Sequence, residues 1–128
     1  MLLLDTCALL WWTLDPKKLS SKATEACQKM ERSEGIISSI SIWEIGIKIK
    51  NNKLDIGMTI EKYTKLLYTL GYLKIIPVDD QIWMQNLSLN WKHPDPADRT
   101  IVATAMVHHS SIVTADENIK NFFDKHIW

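Results

Sequence analysis

Short runs of Leu, Ile and Val alternate along this chain with longer stretches of helical pattern, and that alternation leaves few folds open. Leu2–Asp5, Gly35–Ser39 (GIISS), Leu73–Val78 (LKIIPV) and Ser111–Thr114 (SIVT) read as strands, with His126–Trp128 as a further edge strand. Between them the pattern gives helices over Thr6–Leu14, Ser21–Arg32, Ser41–Lys50, Ile60–Leu70 with Thr59 as N-cap, Asp80–Leu89, Pro96–His108 and Glu117–Phe123. Strands joined through helices require right-handed crossovers, and so a mainly parallel sheet covered on both faces. The expected fold class is α/β, a three-layer α/β/α sandwich with a central, mainly parallel sheet.

A chain of 128 residues, 46% hydrophobic and without a Gly/Ser/Pro-rich linker, has material for one core, so a single domain over residues 1–128 is expected. The opening Met-Leu-Leu-Leu-Asp has no basic n-region, and no apolar run reaches the roughly 18 residues of a membrane span, which points to a cytoplasmic protein. Cys7 and Cys27 have no metal-type spacing with each other or with His93, His108, His109 and His126, so both are expected to be reduced, partly buried thiols.

Charge constrains function. Fifteen Lys and Arg balance fifteen Asp and Glu, which is not the basic footprint of a protein that grips nucleic acid by charge alone. Lys48, Lys50 and Lys53 form the densest basic group, either a solvated helix end or a local contact for nucleic acid.

Four acids occupy special positions. Asp5 closes the first strand, and Asp116 follows the SIVT strand closely. Glu44 lies about one turn into the helix after GIISS, and Asp98 opens the helix before SIVT. Ligands of open parallel sheets bind outside the carboxyl ends of the strands, so these four could meet on one rim. Each also has a plain structural role open to it. Asp5 and Asp116 can cap the helices that follow them. Ser41-Ile42-Trp43-Glu44 fits a capping box. In Asp95-Pro96-Ala97-Asp98, Asp95 suits the N-cap, Pro96 the first helical position and Asp98 the positive helix end. The other acids fall in turns or on solvated helix faces and ends.

Crowded carboxylates repel one another, and a fold tolerates them mainly where a cation neutralises the group. The occupant suited to oxygen donors is Mg²⁺ or Mn²⁺, which can activate water against a phosphodiester. The chain has no Walker-type glycine loop, no G-x-S-x-G elbow and no His-rich metal motif to suggest other chemistry.

Taken together, LLLDTCALLWW, SIWEIGIK, HPDPADRTIVATA and IVTADENI resemble the PIN-domain family, and within it the VapC-type toxins of bacterial toxin–antitoxin pairs. The resemblance runs in order over nearly the whole chain. It implies a metal-dependent endoribonuclease in which Asp5, Glu44, Asp98 and Asp116 hold Mg²⁺ or Mn²⁺, and in which RNA is cut to a 5′-phosphate and a 3′-hydroxyl. It also implies a cognate VapB-type antitoxin as partner, and a homodimer. Thr6 and Thr114 match hydroxyl positions beside the site, where they could orient a carboxylate or water. Asp95 matches an additional aspartate of the DPxDR subgroup, and Arg99 its arginine, as a phosphate contact or a surface salt bridge. Cys7 departs from the histidine that many relatives carry there.

Of the aromatic residues, one of Trp11 and Trp12 is expected inward and the other at a dimer or antitoxin surface, because adjacent indoles on a helix cannot both face one core. Trp91, beside Lys92 and His93, is a candidate for stacking on a base as well as for burial. Two other classes compete with the nuclease. One is a PIN-like RNA- or protein-binding module without catalysis. The other is a phosphotransferase or phosphatase with a strand-end aspartate, against which stand Cys7 in place of a second acid and the lack of a mid-chain acceptor aspartate with a late strand-end lysine.

Overall fold

The computed structural model describes residues 1–128. Five strands, β1 (Leu2–Leu4), β2 (Gly35–Ser38), β3 (Leu73–Ile76), β4 (Ser111–Val113) and β5 (His126–Ile127), form one sheet in the order β3-β2-β1-β4-β5. Every pairing is parallel. The helices are α1 (Thr6–Leu14), α2 (Ser21–Met30), α3 (Ser39–Lys50), α4 (Ile60–Thr69), α5 (Asp80–Ser88), α6 (Pro96–Val107) and α7 (Glu117–Phe122), with a short 3₁₀ turn at Pro16–Lys18. This is the α/β/α sandwich expected from the pattern, and its sheet is wholly parallel.

The strands explain why both faces are covered. Consecutive side chains of a strand point to opposite faces, and here each inner strand carries an apolar residue for both. Leu4, Ile37 and Val113 enter a core with Ala8 and Leu9 of α1, Ala23, Cys27 and Met30 of α2, Ile45 of α3, and Tyr63 and Leu67 of α4. Their neighbours Leu3, Ile36 and Ile112 enter a second core with Ile101, Val102 and Ala105 of α6 and Ile119 of α7. No helix is long and apolar enough to cross a membrane.

Two helix starts teach different lessons. Thr59 caps α4 through Lys62 N at 3.2 Å, as its sequence context suggests. The helix expected to open at Ser41 instead opens at Ser39, with Ser38 as N-cap accepting from Ile40 N at 3.2 Å. The Ser41/Glu44 capping box is therefore not formed. Ser41 is buried inside the helix, its hydroxyl bonded to that of Thr6 at 2.9 Å.

The chain lays β1, β2 and β3 down on one side, then returns to place β4 against β1 and β5 outside it. The order reverses between β1 and β4, which opens a crevice at their carboxyl ends.

Candidate functional site

Asp5 and Asp116 follow the two strands at that crevice. Asp5 is buried and caps α1, its Oδ1 accepting from Ala8 N at 2.8 Å. Its Oδ2 accepts a hydrogen bond from Thr114 Oγ1, just past β4. The same threonine oxygen accepts from Asp116 N at 3.0 Å, and Asp116 caps α7 through Ile119 N at 3.0 Å. Capping thus does not compete with a place at the site; it fixes the carboxylates there.

Asp98 arrives on α6. Asp95 is the N-cap, accepting from Asp98 N at 2.9 Å, and Pro96 fills the first helical position. The Asp98 carboxylate turns to His93, whose Nε2 is 2.8 Å from Oδ2. Glu44 comes from α3, beside Lys48 one turn on, whose Nζ is 3.9 Å away. All five acids (Asp5, Glu44, Asp95, Asp98 and Asp116) line one cavity of about 370 Å³, together with Thr6, Cys7, Trp11 and Lys48. A larger hollow, about 490 Å³, opens at the other end of the sheet by Met1, Leu2 and Ser111, but its Lys22, Glu25, Lys29 and Glu34 are of mixed sign.

The acids perturb one another. Burial pushes Asp5 up to about 6, against the hydrogen bonds from Thr114 and Ala8, and the charges of Asp98 and Asp116 push the same way as burial. Burial likewise takes Asp98 up to about 6, opposed by the His93 bond and reinforced by Asp95 and Asp116. Two carboxyls displaced in one cavity, first by burial and then by neighbouring acids, form the kind of perturbed cluster found at functional sites.

The donor set is all oxygen, which suits a hard divalent cation. No three His, Cys, Asp or Glu side chains stand close enough to enclose an ion without moving. The residues fit such an ion in chemistry and common cavity, with rotamer adjustment needed to close around it.

Other expectations need correction. Arg99 forms no surface salt bridge; its guanidinium is engaged within the chain. It donates to the carbonyls of Trp91, His93 and Asn86 and to Asn86 Oδ1. Trp91 is not free to take a base, because it stacks on Phe122 with ring centroids 4.5 Å apart and planes 8° apart, and packs against His93. Trp11 and Trp12 do not divide into inward and outward. Both are half-buried against the same core, Trp11 on Trp128 with ring centroids 5.6 Å apart, Trp12 donating to Tyr72 Oη at 2.9 Å. Both cysteines are free, Cys27 fully buried and Cys7 exposed at the cavity rather than partly buried. Although the residue is exposed overall, partial desolvation of its thiol among the cavity side chains, then the charge of Asp5, raises Cys7 above its ordinary range, so it stays protonated.

Sequence reasoning missed His93 as a neighbour of Asp98 and Ser41 as the partner of Thr6. His93 was within reach of inspection, lying five residues before Asp98 in the loop that opens α6. The Ser41–Thr6 contact spans 35 residues and leaves no local signal.

The chain is similar to known proteins over nearly its full length. Ribonuclease VapC22 of Mycobacterium tuberculosis is 25% identical over 120 residues, covering 93% of this chain and 89% of that protein. A toxin–antitoxin complex from Klebsiella pneumoniae contains a chain that superposes with a TM-score of 0.69 at 20% identity, over 100% of this chain and 97% of its own. VapBC2 from Rickettsia felis, bound to a DNA fragment from its promoter, gives 0.69 at 14% identity over 99% and 98%. The switch-point crevice, its rim acids and four of the five strands lie within residues 2–124, the stretch matched by the family model of the PIN domain, and the chain belongs to that family.

Proposed function

We propose that this protein is a Mg²⁺- or Mn²⁺-dependent endoribonuclease, the toxin of a VapBC-type toxin–antitoxin pair. The observation that carries the reading is the meeting of Asp5, Glu44, Asp98 and Asp116 in one cavity at the β1/β4 switch point. RNA as substrate is supported by the name of the Mycobacterium tuberculosis relative, a ribonuclease. An antitoxin partner is supported by the complexes in which the structural neighbours occur. A homodimer is part of the same reading.

Asp5, Glu44, Asp98 and Asp116 would hold the cation. When bound, it supplies water activation at neutral pH and stabilises charge on the leaving oxygen. The chain's own contribution is position and electrostatics. Thr114 fixes Asp5 and the Asp116 backbone with one hydroxyl. Asp95 anchors the first turn that carries Asp98. Thr6 ties α1 to α3, and so the Asp5 strand end to the helix that bears Glu44. Lys48 puts positive charge at the cavity edge, where an entering phosphate would find it beside Glu44. That local charge answers the neutral composition, since a nuclease of this kind needs no basic footprint over its whole surface.

The test uses purified protein, single-stranded RNA and Mg²⁺ or Mn²⁺. Cleavage giving 5′-phosphate and 3′-hydroxyl ends, stopped by EDTA and reduced to background by folded Asp5→Asn and Asp98→Asn proteins, is the expected result. Cleavage that survives both substitutions, or proceeds unchanged in EDTA, overturns the reading.

A further inference from the structure

His93 is held on three sides. Its ring packs on the Trp91 indole, with centroids 4.9 Å apart and planes at 37°, and Trp91 is backed by Phe122 of α7. Its carbonyl accepts from Arg99 Nη1 at 3.3 Å, and that guanidinium also holds the Trp91 carbonyl. Its side chain is only 19% exposed. A phenylalanine would satisfy every one of these packing and backbone contacts. What a phenylalanine lacks is a ring nitrogen, and Nε2 is the atom turned to Asp98 Oδ2 at 2.8 Å.

The geometry points to His93 as a positioning residue: it holds one oxygen of Asp98, presenting the other to the bound cation. In donating, the imidazole carries its proton on Nε2. A carboxylate of Asp98 left without this bond has the rotamer freedom of a side chain at the mouth of an open cavity. With it, the direction of the free oxygen is set by a ring that the Trp91–Phe122 stack and Arg99 keep in place. The stack has a second effect. Phe122 belongs to the helix capped by Asp116, so the Trp91–Phe122 stack joins the loop that carries His93 to the helix that follows Asp116. Orientation of metal-bound ligands by such outer contacts typically changes affinity or activity about 10–100-fold.

The inference rests on the metal-site reading above, and the experiment separates the two. Mn²⁺ is titrated calorimetrically into the parent protein and into His93→Phe, His93→Leu and His93→Gln. The glutamine amide restores a donor at similar reach, and the other two variants keep apolar bulk without one. The expected result is binding by the parent, about 10–100-fold weaker binding by His93→Phe and His93→Leu, and recovery in His93→Gln to within about threefold. Two variants without a donor are used so that one that fails to fold does not decide the matter. If the parent binds no Mn²⁺, the metal-site reading itself falls. If the parent binds and the folded variants without a donor bind as tightly, His93 is a packing residue and the positioning role is overturned. Equal weakness in His93→Gln and His93→Phe overturns it too, because shape and not the donor would then be what matters.

Discussion

Thr114 Oγ1 donates to the buried carboxylate of Asp5 and accepts from the backbone of Asp116, so one hydroxyl at the end of β4 orders two of the four acids. The two residues are 109 positions apart and meet because β4 lies in register beside β1, Val113 opposite Leu4. Thr114→Val keeps the shape and removes the hydroxyl. Asp5 then loses a bond that favours its charged form, and Asp116 N loses its acceptor. RNA cleavage is expected to fall about 10–100-fold while the fold persists, and Thr114→Ser is expected to restore most of it. Initial rates for the two variants, normalised to folded protein by near-UV circular dichroism, decide the point.

The metal-free protein is expected to lose stability as pH rises from about 4 to about 6. Asp5 and Asp98 titrate near 6 in the fold against an ordinary value of 3.8, so within that window the folded chain holds protons that the unfolded chain has released. Where the folded state binds more protons, stability falls with rising pH, and above about 6 the penalty is fully present. In EDTA the melting temperature should therefore be higher at pH 5 than at pH 7.5. Asp98→Asn removes one of the two charges and should flatten that slope and raise the melting temperature at pH 7.5 by a few degrees, about 3–5 °C per kcal/mol relieved for a domain of this size. Melting curves that rise steadily from pH 5 to pH 7.5 in the parent would contradict it.

The fold was largely legible because the chain alternates two periods, and each inner strand is apolar at consecutive positions, as Leu3-Leu4 and Ile36-Ile37 show. Asp5 and Asp116 were legible for the same reason, since Asp5 directly follows β1 and Asp116 lies three residues past β4. Glu44 and Asp98 were not separable from helix caps by spacing, and only the resemblance to PIN motifs gathered them. The false start at Ser41 has a local cause. Ser38, Ser39 and Ser41 are all competent caps, and the choice fell to Ser38 because it is the last residue of β2 paired to β3, opposite Ile76. Arg99 shows a different limit. Its position in the DPxDR pattern says nothing of direction, and the side chain points away from the cavity to carbonyls that only the folded loop brings together.

Gly35 opens β2 because the approach of α2 leaves no room for a side chain. A Cβ there would stand 2.1 Å from Met30 Sδ, 2.6 Å from Met30 Cγ and 3.2 Å from Leu73 Cδ2. Met30 is 2% exposed and borders the hollow of about 490 Å³ beside Met1 and Leu2, so its thioether would have to turn toward that space. Gly35→Ala is expected to cost about 1–3 kcal/mol, the range for overpacking a core. Met30→Ala removes the clashing atoms, so the double variant should be destabilised by less than the sum of the two singles. Urea melts of the four proteins measure the coupling, and strict additivity would show that the strand shifts instead of the methionine.

Arg99 is a test of how far the site depends on the loop before α6. Its planar fork reaches Asn86 Oδ1 at 3.3 Å and Asn86 O at 2.8 Å while also holding the carbonyls of Trp91 and His93. A lysine keeps the charge, but its single ammonium cannot span acceptors on both α5 and the loop. Buried Asn86 would also lose a partner, although its amide still donates to Thr100 Oγ1 at 3.1 Å. Arg99→Lys is therefore expected to destabilise the fold by about 1–3 kcal/mol, the cost of buried acceptors left unpaired. Because the loop carries His93, cleavage measured well below the melting temperature should fall as well. Were Arg99 a phosphate contact, the same substitution would raise KM for RNA and leave the urea midpoint unchanged, so the two measurements together separate a structural clasp from a substrate contact.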